Sequence, residues 1–145
     1  MGKLDRLQPA AVWNVFEKMS DVPRGSGNEA AVQSMFKAWA DERGLKWQED
    51  AVGNLLISIP GTKGREKAAP VLIQGHVDMV CEKNAATKHD FENDPIKLLI
   101  EGDWVTADGT TLGADNGIGC AMGLALADTS DVAHGPVEVL LTVDE

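Results

Sequence analysis

The chain has 145 residues, 43% of them hydrophobic and 25% charged, enough for one compact domain with a real core. The formal net charge of -10 argues against nucleic acid or an anionic membrane as partner, because both call for a basic face. Met1 to Lys18 has no unbroken apolar run and carries Asp5 and Glu17, so it does not read as a secretory signal, and no stretch approaches the roughly 18–20 apolar residues of a membrane span. The expectation is a cytoplasmic protein. Cys81 and Cys120, far apart and without a CxxC, read as reduced thiols.

In chain order, Pro9 to Met19 reads as a helix, with Pro9 in its first turn and Val12, Val15, Phe16 and Met19 at helical spacing. Asp21 to Gly27 is a loop rich in helix breakers. A second helix is expected from Asn28, as its cap, to Arg43, with Gly44 as its stop and Val32, Met35, Phe36 and Trp39 as its buried stripe. Leu45 to Asp50 and Asn54 to Pro60 read as two strands bent at Gly53-Asn54. Gly61 to Ala69 is a polar loop. Pro70 to Gly75 is a short continuous apolar run, expected to be a strand buried on both faces.

Cys81 to Pro95 lacks periodicity and reads as a long loop. Leu98 to Ile100 and Trp104-Val105 suit an edge hairpin around Gly102-Asp103. Asn116 to Asp128 reads as a third helix, with Gly117, Gly119 and Gly123 packed closely against a sheet, and Val137 to Val143 as a last apolar strand. This order predicts an α/β fold with a mixed sheet flanked by helices. In such sheets sites gather at the carboxyl ends of strands.

Three polar clusters fall at such ends. Gly75-His76-Val77-Asp78 follows the first buried strand. A neutral imidazole at His76 suits zinc, and a carboxylate at Asp78 can orient the ring and raise its basicity. A buried structural histidine paired with a carboxylate fits the same residues. Asp115 sits between Gly113 and Gly117, just before the third helix. Its two oxygens can bridge cations roughly 3.5–4 Å apart, or it can simply cap the helix. Glu145 ends the last strand, as a general base toward water or as a solvated terminal residue. Strand alternation points Asp144 away from the side that Glu145 faces. Taken together, three strand ends presenting carboxylate or imidazole among glycines form the pattern of a hydrolytic metal site.

Longer stretches carry a resemblance. They are Val22-Pro-Arg-Gly-Ser-Gly-Asn28-Glu29, Asp50-Ala-Val-Gly-Asn54, Gln74-Gly-His-Val-Asp-Met-Val-Cys-Glu-Lys83, His89-Asp-Phe91, Asp94-Pro-Ile96, Ala107-Asp-Gly-Thr-Thr-Leu-Gly-Ala-Asp-Asn-Gly-Ile-Gly119 and Glu138-Val-Leu-Leu-Thr-Val-Asp-Glu145. Across essentially its whole length the chain resembles the aminoacyl-histidine dipeptidases, also called Xaa-His or cytosol non-specific dipeptidases, of the M20 group of co-catalytic metallopeptidases.

The resemblance implies hydrolysis of dipeptides, including those ending in histidine, by two divalent ions, with zinc first and cobalt or manganese as alternatives. It implies His76 as metal ligand, Asp78 as the aspartate orienting it, Asp115 as the carboxylate bridging both ions across a cis Asp115–Asn116 bond, and Glu145 as the general base. The family's next glutamate, a further carboxylate, a second histidine ligand and a lid domain have no counterpart in these 145 residues. His89 reads as loop structure and His134 as surface. The expectation is therefore that residues 1–145 are the N-terminal part of a catalytic domain, inactive alone; the sequence leaves open whether the parent is a homodimer. The other reading is a non-catalytic remnant, or pseudoenzyme, without a complete metal site.

Overall fold

A computed structural model describes residues 2–145. Its elements are α1 (Ala10–Ser20), α2 (Ala30–Glu42), β1 (Lys46–Glu49), β2 (Leu55–Ile59), β3 (Val71–His76), β4 (Leu98–Glu101), β5 (Trp104–Ala107), α3 (Ala114–Ala125), a 3-10 turn (Leu126–Asp128) and β6 (Val137–Thr142). Four strands form a mixed sheet in the order β1-β2-β6-β3, antiparallel except for the parallel β3–β6 pair, and β4 and β5 form a separate antiparallel hairpin. The expected α/β layout with a mixed sheet is what the chain adopts. No described helix is long and apolar enough to cross a membrane.

The core follows the two periodicities. In β2 and β6 alternate residues point to one face, so Leu55, Ile57, Ile59, Val137, Val139 and Leu141 are all buried. Helix α3 lies on that face. It can approach because Gly123 has no side chain: a Cβ there would sit 3.2 Å from Ile73 and 3.3 Å from Val139. Helix α1 packs on α3, with Phe16 and Met19 against Gly117. Helix α2 ends as its sequence requires. Gly44 takes φ 63°, and the Leu45 amide reaches back to the Ala40 carbonyl at 2.9 Å.

Several expectations need correction. Pro9 precedes α1 rather than lying in its first turn, and α2 begins at Ala30, with Glu29 and not Asn28 at its N-cap and no side-chain cap bond. In the buried stripe of α2, Gln33 joins Val32, Phe36 and Trp39, while Met35 is only half-buried. Strand β3 is not buried on both faces. It lies at the sheet edge among the described residues, and Val71 and Leu72 are 57% and 56% exposed. An apolar run says that a strand avoids water but not which neighbours cover it. His134 is half-buried, its backbone amide on the Thr62 hydroxyl at 3.1 Å.

Candidate active site

Because β3 and β6 run parallel, with His76 opposite Thr142, both deliver their carboxyl ends to one edge of the sheet. The turn into α3 reaches the same edge. A cavity of about 270 Å³ opens there, lined by His76, Asp78, Asp115 and Glu145 together with Ser26, Thr111 and Gly113. All four residues singled out in the sequence thus meet in one place. A larger cavity, about 550 Å³, lies between the second half of α1 and Arg43 and, among the described residues, is lined by no histidine or cysteine.

His76 is held from both sides. Its Nδ1 lies 3.2 Å from Asp78 Oδ1 and 3.1 Å from the Asp78 carbonyl, which leaves Nε2 to face the cavity, 3.1 Å from Asp115 Oδ1. Burial pulls the imidazole pKa down, but its bonds to Asp115 and Asp78 outweigh that pull, so the pKa stands above its ordinary value. Asp78 is buried and fully engaged. Its Oδ2 accepts from the Ser26 hydroxyl at 2.5 Å, and its Oδ1 accepts from the Glu145 amide at 3.4 Å. Burial alone would raise its pKa, yet these donors and the imidazole hold it below the ordinary carboxylate value.

Asp115 differs. Its side chain is 96% exposed and bonds to His76, with no cap bond at the start of α3. The helix-cap alternative is not what the geometry displays. Asp115 and Asn116 have non-helical angles and are joined by a cis peptide bond. Gly113, in the left-handed region at φ 70°, turns the chain into α3.

Glu145 is exposed at the cavity rim. Strand alternation does not govern its neighbour, because β6 stops at Thr142. Asp144 takes φ 52°, and its amide is held at 3.0 Å by Oε1 of the buried Glu29.

Two further supports were not legible as site residues. Arg24 is 1% exposed and donates from Nη1 to the Val77 carbonyl at 2.8 Å and from Nη2 to the Gly113 carbonyl at 2.7 Å. Burial lowers its pKa to about 10, so it stays charged at neutral pH. Gln33, also buried, donates to the carbonyls of Gly53 and Leu141 at 2.8 and 3.1 Å. In the sequence Arg24 stands within the Val22 to Glu29 stretch that carries the resemblance, but a cation inside a Gly/Ser loop is ordinarily explained by solvation. Cys81 and Cys120 are free thiols, and burial pushes Cys120 up to about 12.

The donor set suits a divalent cation. An imidazole nitrogen and a carboxylate oxygen converge on one opening, the imidazole oriented by a second carboxylate, and Asp115 has no other side-chain partner among the described residues. Two donors are fewer than a closed site needs, and among the described residues no group of three or more His, Cys, Asp and Glu side chains is placed to hold a metal.

No family model matches the chain. Over all 145 residues it is 48% identical to the cytosol non-specific dipeptidase of Escherichia coli strain K12, covering 30% of that protein. The likeness to that dipeptidase runs the whole length of the chain. The fold agrees: aminoacylhistidine dipeptidase from Vibrio alginolyticus superposes with a TM-score of 0.94 at 47% identity, over 99% of this chain and 29% of that one. A dinuclear metal binding peptidase of the M20 family from Bacillus subtilis shares the fold at a TM-score of 0.53 and 16% identity, over 92% of this chain and 35% of that one. The chain thus spans about 30% of the length of its dipeptidase relatives.

Proposed function

We propose that this chain forms part of the catalytic domain of a cytoplasmic metallo-dipeptidase that hydrolyses small dipeptides, Xaa-His dipeptides among them, with two divalent ions, zinc first. The observation that carries the reading is the convergence of His76 Nε2 and Asp115 Oδ1 at 3.1 Å, at the rim where Glu145 also stands. The dipeptidase relatives and the dinuclear metal binding of the Bacillus subtilis peptidase support it.

His76 and Asp115 would hold the ions, which when bound supply Lewis acidity toward the scissile carbonyl and toward water. Asp78 keeps the proton on Nδ1 of His76, so that Nε2 presents its lone pair to the cavity. Glu145 takes a proton from the attacking water and returns it to the leaving amine. With Asp78 buried and bonded to Ser26, its carboxylate remains ionised for this orienting role.

The test is metal content and dipeptide turnover of His76→Ala and Asp78→Ala in the protein as its gene encodes it. His76→Ala is expected to lose metal and nearly all turnover. Asp78→Ala is expected to lose about 10–100-fold in metal affinity or activity. Full metal content in His76→Ala, by elemental analysis, would remove His76 from the ligand set.

A further inference from the structure

We propose that Arg24 is a positioning residue that sets the spacing between the two metal-holding segments, a role that rests on the metal reading above. The guanidinium ties two backbones of the site, alongside Thr111, whose hydroxyl donates to the Val80 carbonyl at 2.7 Å and whose amide donates to the Glu82 carbonyl at 2.8 Å. Nη1 bonds the carbonyl of Val77, between His76 and Asp78, and Nη2 bonds the carbonyl of Gly113, two residues before Asp115. One rigid fork therefore spans the strap that presents the imidazole and the turn that presents the carboxylate.

The surroundings are shaped around that fork. A Cβ at Gly113 would collide with Nη2, and one at Gly117 would lie 3.0 Å from Nη2 and 3.1 Å from Phe16. The glycines on either side of Asp115 thus make room for the guanidinium. The loop carrying Arg24 is itself pinned beside the strap. The Met79 amide donates to the Arg24 carbonyl at 3.0 Å, the Ser26 amide donates to the Met79 carbonyl at 3.3 Å, and the Ser26 hydroxyl holds Asp78.

An arginine so deeply buried, with no carboxylate within ion-pair distance among the described residues, is costly to keep for stability alone. Its two bonds to carbonyls in fixed directions are what a guanidinium fork can make and a single ammonium cannot.

The experiment compares Arg24→Met and Arg24→Lys with the wild type, in the protein as its gene encodes it. It measures zinc affinity by competition with a chromophoric chelator, the visible spectrum of the cobalt-loaded protein, and thermal midpoints. Zinc affinity is expected to fall by about 10–100-fold in both variants, with an altered cobalt spectrum, because lysine keeps the charge but not the fork. If Arg24→Met does not fold, Arg24→Lys and Gly117→Ala, which crowds Nη2, carry the measurement with the same expectation. Unchanged affinity and spectrum, with only a lower thermal midpoint, would mean that Arg24 serves stability and would overturn the proposal. Full rescue by lysine would overturn the fork. A wild-type protein that takes up no divalent metal would overturn the metal reading and this proposal with it, whereas a metal-binding wild type with unperturbed variants overturns this proposal alone.

Discussion

His76 and Asp78 are two residues apart, and their contact needs only the bend that leaves β3. Asp115, thirty-nine residues on, reaches His76 because the turn into α3 brings it back to the same sheet edge. Its exposure and the absence of a cap bond separate its two possible roles. Asp115→Ala is expected to cost less stability than the roughly 0.5–2 kcal/mol of a lost N-cap. It should also abolish binding of both ions together, which calorimetry with metal counting would read. Loss of stability within the cap range, with metal retained, would return Asp115 to a structural role. His76, Asp78, Asp115 and Glu145 were legible as candidates because each interrupts an apolar or glycine-rich run with a side chain that binds metals or protons. Arg24, Glu29 and Gln33 were not, since a polar residue in a loop or on a helix looks the same in sequence whether it is solvated or buried.

At the level of elements, the loop between β1 and β2 bears on the site. Asp50 Oδ1 accepts the amides of Val52, Gly53 and Asn54, each at 2.9 Å, and Oδ2 accepts from the Asn54 side chain. Asn54 Oδ1 in turn takes the Val143 amide at 3.1 Å, fastening the segment that leads to Glu145. These donors, the Asn54 side chain first, hold the Asp50 pKa below its ordinary value. A folded-state pKa below the unfolded one means that the contribution is complete above the unfolded value, near ~3.9, and is lost as pH falls through the folded value. Thermal midpoints are therefore expected to drop more steeply below about pH 4 in the wild type than in Asp50→Asn, whose side chain does not titrate. Parallel profiles in the two proteins would count against this coupling.

At the scale of the whole molecule, the sheet presents β3 as an edge whose Val71 and Leu72 are more than half exposed. An open apolar edge is a template for pairing with another chain. A polypeptide of these 145 residues is expected to self-associate with rising concentration, and Leu72→Lys to suppress this, as static light scattering would record. The same polypeptide is expected to hydrolyse no dipeptide in excess zinc or manganese. Its proposed donors are His76 and Asp115, whereas two ions call for about three protein contacts each. Chelator-sensitive hydrolysis by that purified polypeptide would overturn the count.

The sequence by itself determined the elements and the kinds of chemistry available. Periodicity of 3.6 or 2 places α1, α2, β2 and β6 with only end effects to correct, because local hydrophobic spacing and glycine stops are set within a few residues. Only the tertiary structure decided which elements are neighbours. The parallel pairing of β3 with β6 places His76 and Glu145 at one edge, the missing side chain of Gly123 lets α3 lie on that sheet, and Arg24 is buried between two carbonyls fifty-three and eighty-nine residues away. Those outcomes depend on contacts distant in sequence, and an apolar run or a lone charge carries no information about the partner it will meet.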